Sequence, residues 1–166
     1  MGDLDECVVA RRVERIAVVP QLDQDAVAPE RIGQAEQLAP RGHRAVGPGV
    51  IEAFYAGLET VSLADFPYLA KLDLDLDLPP RYVETLIGRM EADPRIGTCS
   101  GKPYVRRGGR LVSERRGDEM SVGMTKLWRT SCLRQIGGLV RGVMWDGIDC
   151  HRARMLGWIA RSWDEP

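Results

Sequence analysis

The stretch Phe66-Pro67-Tyr68-Leu69-Ala70-Lys71-Leu72-Asp73-Leu74-Asp75-Leu76-Asp77-Leu78-Pro79-Pro80 is an apolar run that passes straight into an acidic turn and ends on a proline pair. Phe66–Asp73 has the composition and length of a strand. Pro79-Pro80 is suited to opening a helix, because proline costs nothing in the first helical turn. After the prolines, Tyr82, Val83, Leu86, Ile87 and Met90 recur at the spacing of one helical face, and Asp93-Pro94 closes the segment. A strand that hands over to a helix through a short turn is the repeating unit of an α/β fold.

Working outward, the same alternation continues. Upstream, Gly47-Pro48-Gly49 is a turn whose proline can start a helix, and Val50, Ala53, Phe54, Gly57, Leu58 and Val61 follow at helical spacing. Downstream, a strand is expected near Ile96–Ser100. Gly108-Gly109 between two extended runs signals a hairpin. A strand around Val122–Trp128 precedes a short helix closed by Gly137-Gly138. Asp146–Leu156 reads as a helix ended by Gly157, with residues 158–163 as a last strand. The pattern predicts an α/β fold with a mainly parallel sheet flanked by helices. Residues 1–43 differ in character. No aromatic occurs before Phe54, four of the five glutamines lie in the first 40 positions, and one apolar run, Arg15–Pro20, could form a strand. The chain therefore divides into an atypical or poorly ordered N-terminal segment, 1–43, and a main domain, 44–166.

Composition narrows the function classes. With 166 residues, 44% apolar and 28% charged, the chain suits one globular domain. A net charge of −1 argues against a nucleic-acid partner. No apolar run approaches the length of a membrane span, and the start of the chain lacks the pattern of a secretory signal. Cys7, Cys99, Cys132 and Cys150 are spaced too far apart for a metal clip and read as reduced thiols. His43 and His151 add no ligand pairs, so neither structural zinc nor a Cys-His nucleophile is expected.

Three features could carry chemistry. Asp73, Asp75 and Asp77 alternate, so an extended backbone would put all three on one acidic edge. Crowded carboxylates repel, and a divalent cation resolves the repulsion. A strand's carboxyl end in an α/β sheet is also where ligands bind. A magnesium or manganese ion bridging the aspartates to a diphosphate competes here with a solvated strand. A calcium loop fits less well, since Leu78 stands where that loop needs glycine. Asp146 and Asp149 open the last helix, either as acids favoured by the helix dipole or with Asp146 as a general base beside Trp145. Lys102–Arg116 holds six basic residues against one acid, Glu114, as a solvated surface or a phosphate-neutralising one. Arg44, ahead of the Gly47 turn, is a further candidate contact for phosphate.

In order, the segments GPGVIEAFYAGL, KLDLDLDLPPRYVETLI, DPRIGTCSGKPY, VGMTKLWRTSCLRQIGGL and WDGIDCHRARMLGW resemble family-2 glycosyltransferases, the inverting enzymes of GT-A fold that use nucleotide-diphosphate sugars. The resemblance covers residues 44–163. It implies an incomplete GT-A fold and a D-x-D motif at Asp73 and Asp75 as metal ligands, with Mn2+ or Mg2+ holding the donor diphosphate. Asp73, Asp75 and Arg44 would contact the donor, and Asp146 would be the catalytic base, with Trp145 where the family commonly has Glu. The implied partners are a nucleotide-sugar donor and a saccharide or lipid-linked acceptor. The implied setting is cell-surface polysaccharide or glycoconjugate assembly, in the cytoplasm or at the inner face of the membrane. Val18-Val19-Pro20 echoes the family's first strand, and nothing matches its second, nucleoside-holding strand. The resemblance is thus to a fragment lacking the N-terminal nucleoside-binding part and the C-terminal end, and the alternative function is an inactive glycosyltransferase-like remnant.

Overall fold

The structure, a computed structural model, describes residues 16–21, 48–73, 75–114 and 117–164. Strand β1 is Ile16–Gln21 and helix α1 is Pro48–Glu59, with its proline in the first helical position as expected. Strand β2 is Tyr68–Asp73, helix α2 is Tyr82–Ala92 and strand β3 is Ile96–Gly101. A hairpin follows, β4 (Tyr104–Arg107) and β5 (Arg110–Ser113). Strand β6 is Thr125–Arg129, helix α3 is Thr130–Gln135, helix α4 is Trp145–Met155 and strand β7 is Ile159–Trp163.

The main sheet has the order β1-β2-β6-β3-β7. β1 pairs with β2 in parallel from Ile16↔Tyr68 to Gln21↔Asp73, so the described part of the N-terminal segment is a sheet strand. Pro20 is accommodated because, among the described residues, β1 is an edge strand and needs no donor on its outer side. The expectation of a mainly parallel sheet is corrected: the sheet is mixed. β2–β6 and β3–β6 pair antiparallel, whereas β1–β2 and β3–β7 are parallel. The cause lies in the connection between β3 and β6, which is a hairpin and a turn rather than a crossover helix. Such a link returns the chain antiparallel to the strand it has just left.

Two further expectations change at the end of β2. Ladder pairing with β6 stops at Leu72↔Thr125, and the strand ends at Asp73, whose N–H donates to the Met124 carbonyl at 2.9 Å. Asp75 lies in a turn and Asp77 in irregular chain, so the three carboxylates do not share one extended edge. Pro79 and Pro80 precede α2 instead of opening it. The helix begins at Tyr82, after Arg81 has taken a left-handed conformation with φ 62°.

Strand alternation separates two cores. Leu69 of β2 and Trp128 of β6 pack with Ile51 and Phe54 of α1, Leu133 of α3 and Trp145 of α4. Their neighbours Tyr68, Ala70 and Leu127 face the other way, onto Tyr82, Leu86 and Met90 of α2. Helices thus cover both faces of the sheet, with α4 lying against the face that carries the odd-numbered residues of β2.

Candidate functional site

Side-chain parity in β2 puts Leu69, Lys71 and Asp73 on the face covered by α4. Parity in β6 does the same for Lys126 and Trp128. The register then sets Lys71 directly opposite Lys126, two lysines side by side with relative exposures of 1% and 0%. Buried like charges demand counter-charges. Lys71 Nζ meets Asp73 Oδ1 at 2.5 Å and donates to the Gly123 carbonyl at 3.1 Å. Lys126 Nζ meets Asp149 Oδ1 at 2.6 Å and donates to the Asp146 carbonyl at 2.7 Å. The Trp145 ring lies over both, 5.3 Å from Lys71 Nζ and 5.6 Å from Lys126 Nζ. Burial pushes the pKa of Lys71 below its ordinary value, Asp73 and Asp146 pull it upward, and Lys126 lowers it further.

Asp73 and Asp146 both act on the Lys71 ammonium. Gly123 sits between them, in a turn pinned on both sides. Val122 N–H donates to Ser100 Oγ at 2.7 Å, and the Met124 carbonyl accepts from Asp73. A Cβ on Gly123 would lie 2.9 Å from the Asp146 Cβ and 3.0 Å from the Trp145 ring. Glycine at this position is what lets the first turn of α4 approach the end of β2. Asp146 is half-buried in that first turn, and Met144, not an acid, is the N-cap residue. Asp149 neither caps the helix nor faces solvent. Its carboxylate is fully buried and accepts from Lys126, from Trp128 Nε1 at 2.7 Å and from the Cys150 N–H at 2.8 Å.

The other expected site residues are placed differently. Asp75 and Asp77 are exposed on the turn beyond Asp73. Arg44 and Cys7 lie outside the described residues. Cys99, Cys132 and Cys150 are buried free thiols, and burial raises Cys132 to about 12, far from a reactive thiolate. Lys71, Lys126 and Gly123 were not singled out from the sequence, and Asp149 was read there only as an acid favoured by the helix dipole. A signal was present: each lysine shares a strand face with a large apolar residue two positions away, Leu69 in YLAKLD and Trp128 in TKLWR.

As a donor set for a metal, Asp73 and Asp75 offer only carboxylate oxygens, which suit a hard cation such as magnesium or manganese. Among the described residues no three His, Cys, Asp or Glu side chains are grouped to hold an ion on their own. One Asp73 oxygen already contacts Lys71. A divalent ion here fits only as one completed by substrate phosphates and water, the usual arrangement for magnesium. An apolar hollow of about 210 Å3 lies elsewhere, between α1 and α3, lined by Phe54, Tyr55, Leu58 and Leu133, and none of the acidic residues borders it. Among the described residues no helix is long and apolar enough to cross a membrane. In comparisons with known proteins, the chain matches no family model and no curated protein.

Proposed function

We propose that the chain is a glycosyltransferase-type domain that takes a sugar from a nucleotide-diphosphate donor to an acceptor hydroxyl, with inversion. The observation that carries this reading is the convergence of Asp73, at the carboxyl end of β2, with Asp146, in the first turn of α4, around Lys71 and Gly123. It agrees with the sequence resemblance in the order of motifs and in the pairing of a strand-end acid with a helix-start acid. Asp73 and Asp75 would hold Mn2+ or Mg2+, which when bound supplies charge neutralisation for the departing diphosphate. Lys71 holds the Asp73 carboxylate in place and keeps the buried side of the site electrically balanced. Asp146 accepts the proton of the acceptor hydroxyl as that oxygen attacks the anomeric carbon. Trp145 forms the apolar floor beneath it.

Titration calorimetry with nucleoside diphosphates, in the presence and absence of manganese, tests the donor half. Binding should require manganese. Asp75→Asn should weaken it about tenfold or more, and it is a cleaner variant than Asp73→Asn because Lys71 contacts Asp73. Asp146→Asn should leave donor binding unchanged and lower turnover by about 10²–10⁴-fold. Metal-independent or absent binding sinks the donor reading, and equal turnover in the Asp146 variant ends the base assignment. The second reading, an inactive remnant, draws on the contact of Lys71 with Asp73, which occupies one of the carboxylate oxygens a metal would need. The same titration separates the two.

A further inference from the structure

The β4–β5 hairpin forms a two-stranded sheet of its own, apart from the main sheet. Hairpins of this size are marginal in water unless something covers a face. Here both faces are open: Tyr104, Arg106, Arg107, Arg110, Leu111 and Val112 are all exposed, Leu111 at 62%. The turn itself is well made, since Gly108 and Gly109 take the positive φ angles of 55° and 77° that a tight two-residue hairpin needs. Its charges are not balanced. Arg107 pairs across the strands with Arg110, and Arg106 with Leu111, so three guanidinium groups crowd the tip. Like charges set opposite each other destabilise a hairpin. Among the described residues none of the three arginines is in an ion pair.

The base of the hairpin is fixed to the body. Lys102 bridges Asp118 at 2.5 Å and Asp164 at 2.8 Å, and its N–H donates to the Trp163 carbonyl at 2.8 Å. Tyr104 Oη donates to Asp164 at 3.1 Å. The hairpin leaves the sheet at the carboxyl end of β3. β2 and β3 both run antiparallel to β6, so this is the same edge on which Asp73 lies.

We infer that this hairpin docks the chain on an anionic lipid surface, with Arg106, Arg107 and Arg110 among the headgroup phosphates and the exposed side chains of Leu111 and Val112, one on each face next to the tip, at the interfacial layer. A bilayer supplies what the hairpin lacks: negative charge for Arg106, Arg107 and Arg110, and an apolar layer for the aliphatic side chains beside them. Exposed aliphatics beside one tyrosine favour lipid over nucleic acid, where base stacking asks for aromatics. The inference is independent of the chemistry at Asp73.

The test is co-sedimentation of the full chain with vesicles of phosphatidylcholine alone or mixed with phosphatidylglycerol. Binding should appear only on the anionic vesicles and should weaken with salt. Replacing Arg106, Arg107 and Arg110 with Gln should lower the partition coefficient about a hundredfold, given the typical contribution of a basic residue near such a surface. Leu111→Ser with Val112→Ser should lower it several-fold while leaving the salt dependence unchanged. The triple Arg→Lys variant keeps the charge and should keep the binding, which separates lost charge from lost fold. No binding to anionic vesicles, equal binding to neutral ones, or full binding by the Gln variant would overturn the inference. So would tighter binding to a single-stranded RNA oligonucleotide that ignores the Leu111 and Val112 substitutions.

Discussion

At the scale of single residues, the cost of burying Lys71 and Lys126 side by side governs what surrounds them. Asp149 is the most constrained of their partners. It compensates Lys126 and satisfies both the Trp128 indole N–H and the Cys150 amide, with no exposure of its own. Asp149→Leu strands an ammonium in the core and leaves an indole N–H without its acceptor, so it should destabilise the fold by about 3–5 kcal/mol in urea unfolding. The double variant Lys126→Met, Asp149→Leu removes both charges and should recover most of that loss. If the single and double variants lose the same stability, packing matters here and the ion pair does not. No local sequence pattern favours this role for Asp149 over that of a helix-dipole acid. Its partners Lys126 and Trp128 are 23 and 21 positions away, and no local pattern links them.

At the scale of elements, two helix starts share an unusual device. Arg81 before α2 and Met144 before α4 both adopt the left-handed conformation, with φ of 62° and 63°. Neither is glycine, and that conformation costs an L-residue roughly 1 kcal/mol. At Arg81 the side chain offsets the cost, because its guanidinium grips Glu84 through contacts of 2.7 and 2.6 Å. Met144 is 71% exposed and has little packing to lose. Met144→Gly should therefore raise stability by up to about 1 kcal/mol, whereas Arg81→Gly should lower it; thermal unfolding of the two variants checks the contrast. A drop in stability for Met144→Gly would show that its side chain does more at the mouth of α4 than its exposure implies. Helix positions themselves were largely legible: α1 and α4 fall where apolar spacing, proline and glycine put them, and α2 falls on its apolar spacing but starts two residues after its proline pair. The left-handed entries were not, since Arg and Met carry no turn signal.

At the scale of the whole molecule, the carboxyl edge is closed by Lys102, which ties the chain after β3 to Asp118 and to Asp164 after β7. Lys102 holds the Asp164 carboxyl below its usual 3.8, and Asp118 and Asp164 raise Lys102 above 10.5. The Asp164 contribution is therefore complete above pH 3.8 and is lost as pH falls through its lower, folded value. The Lys102 contribution is complete below pH 10.5 and is lost as pH rises through its higher one. Asp164→Asn should flatten the acid limb of a stability–pH curve below pH 4, measured by urea unfolding at a series of pH values. An acid limb identical to the wild type would mean that the ion pair adds no net stability. The α/β class, the strand and helix positions and the acid at the end of β2 follow from the sequence alone, because apolar periodicity and proline or glycine punctuation act over neighbouring residues. The insertion of β6 antiparallel between β2 and β3, the apposition of Lys71 with Lys126, and the placing of Asp73 and Asp146 around Lys71 were decided only by tertiary structure. Each depends on which distant strands pair and in what register, and that is settled by burying both faces of the whole sheet at once rather than by any local run of residues.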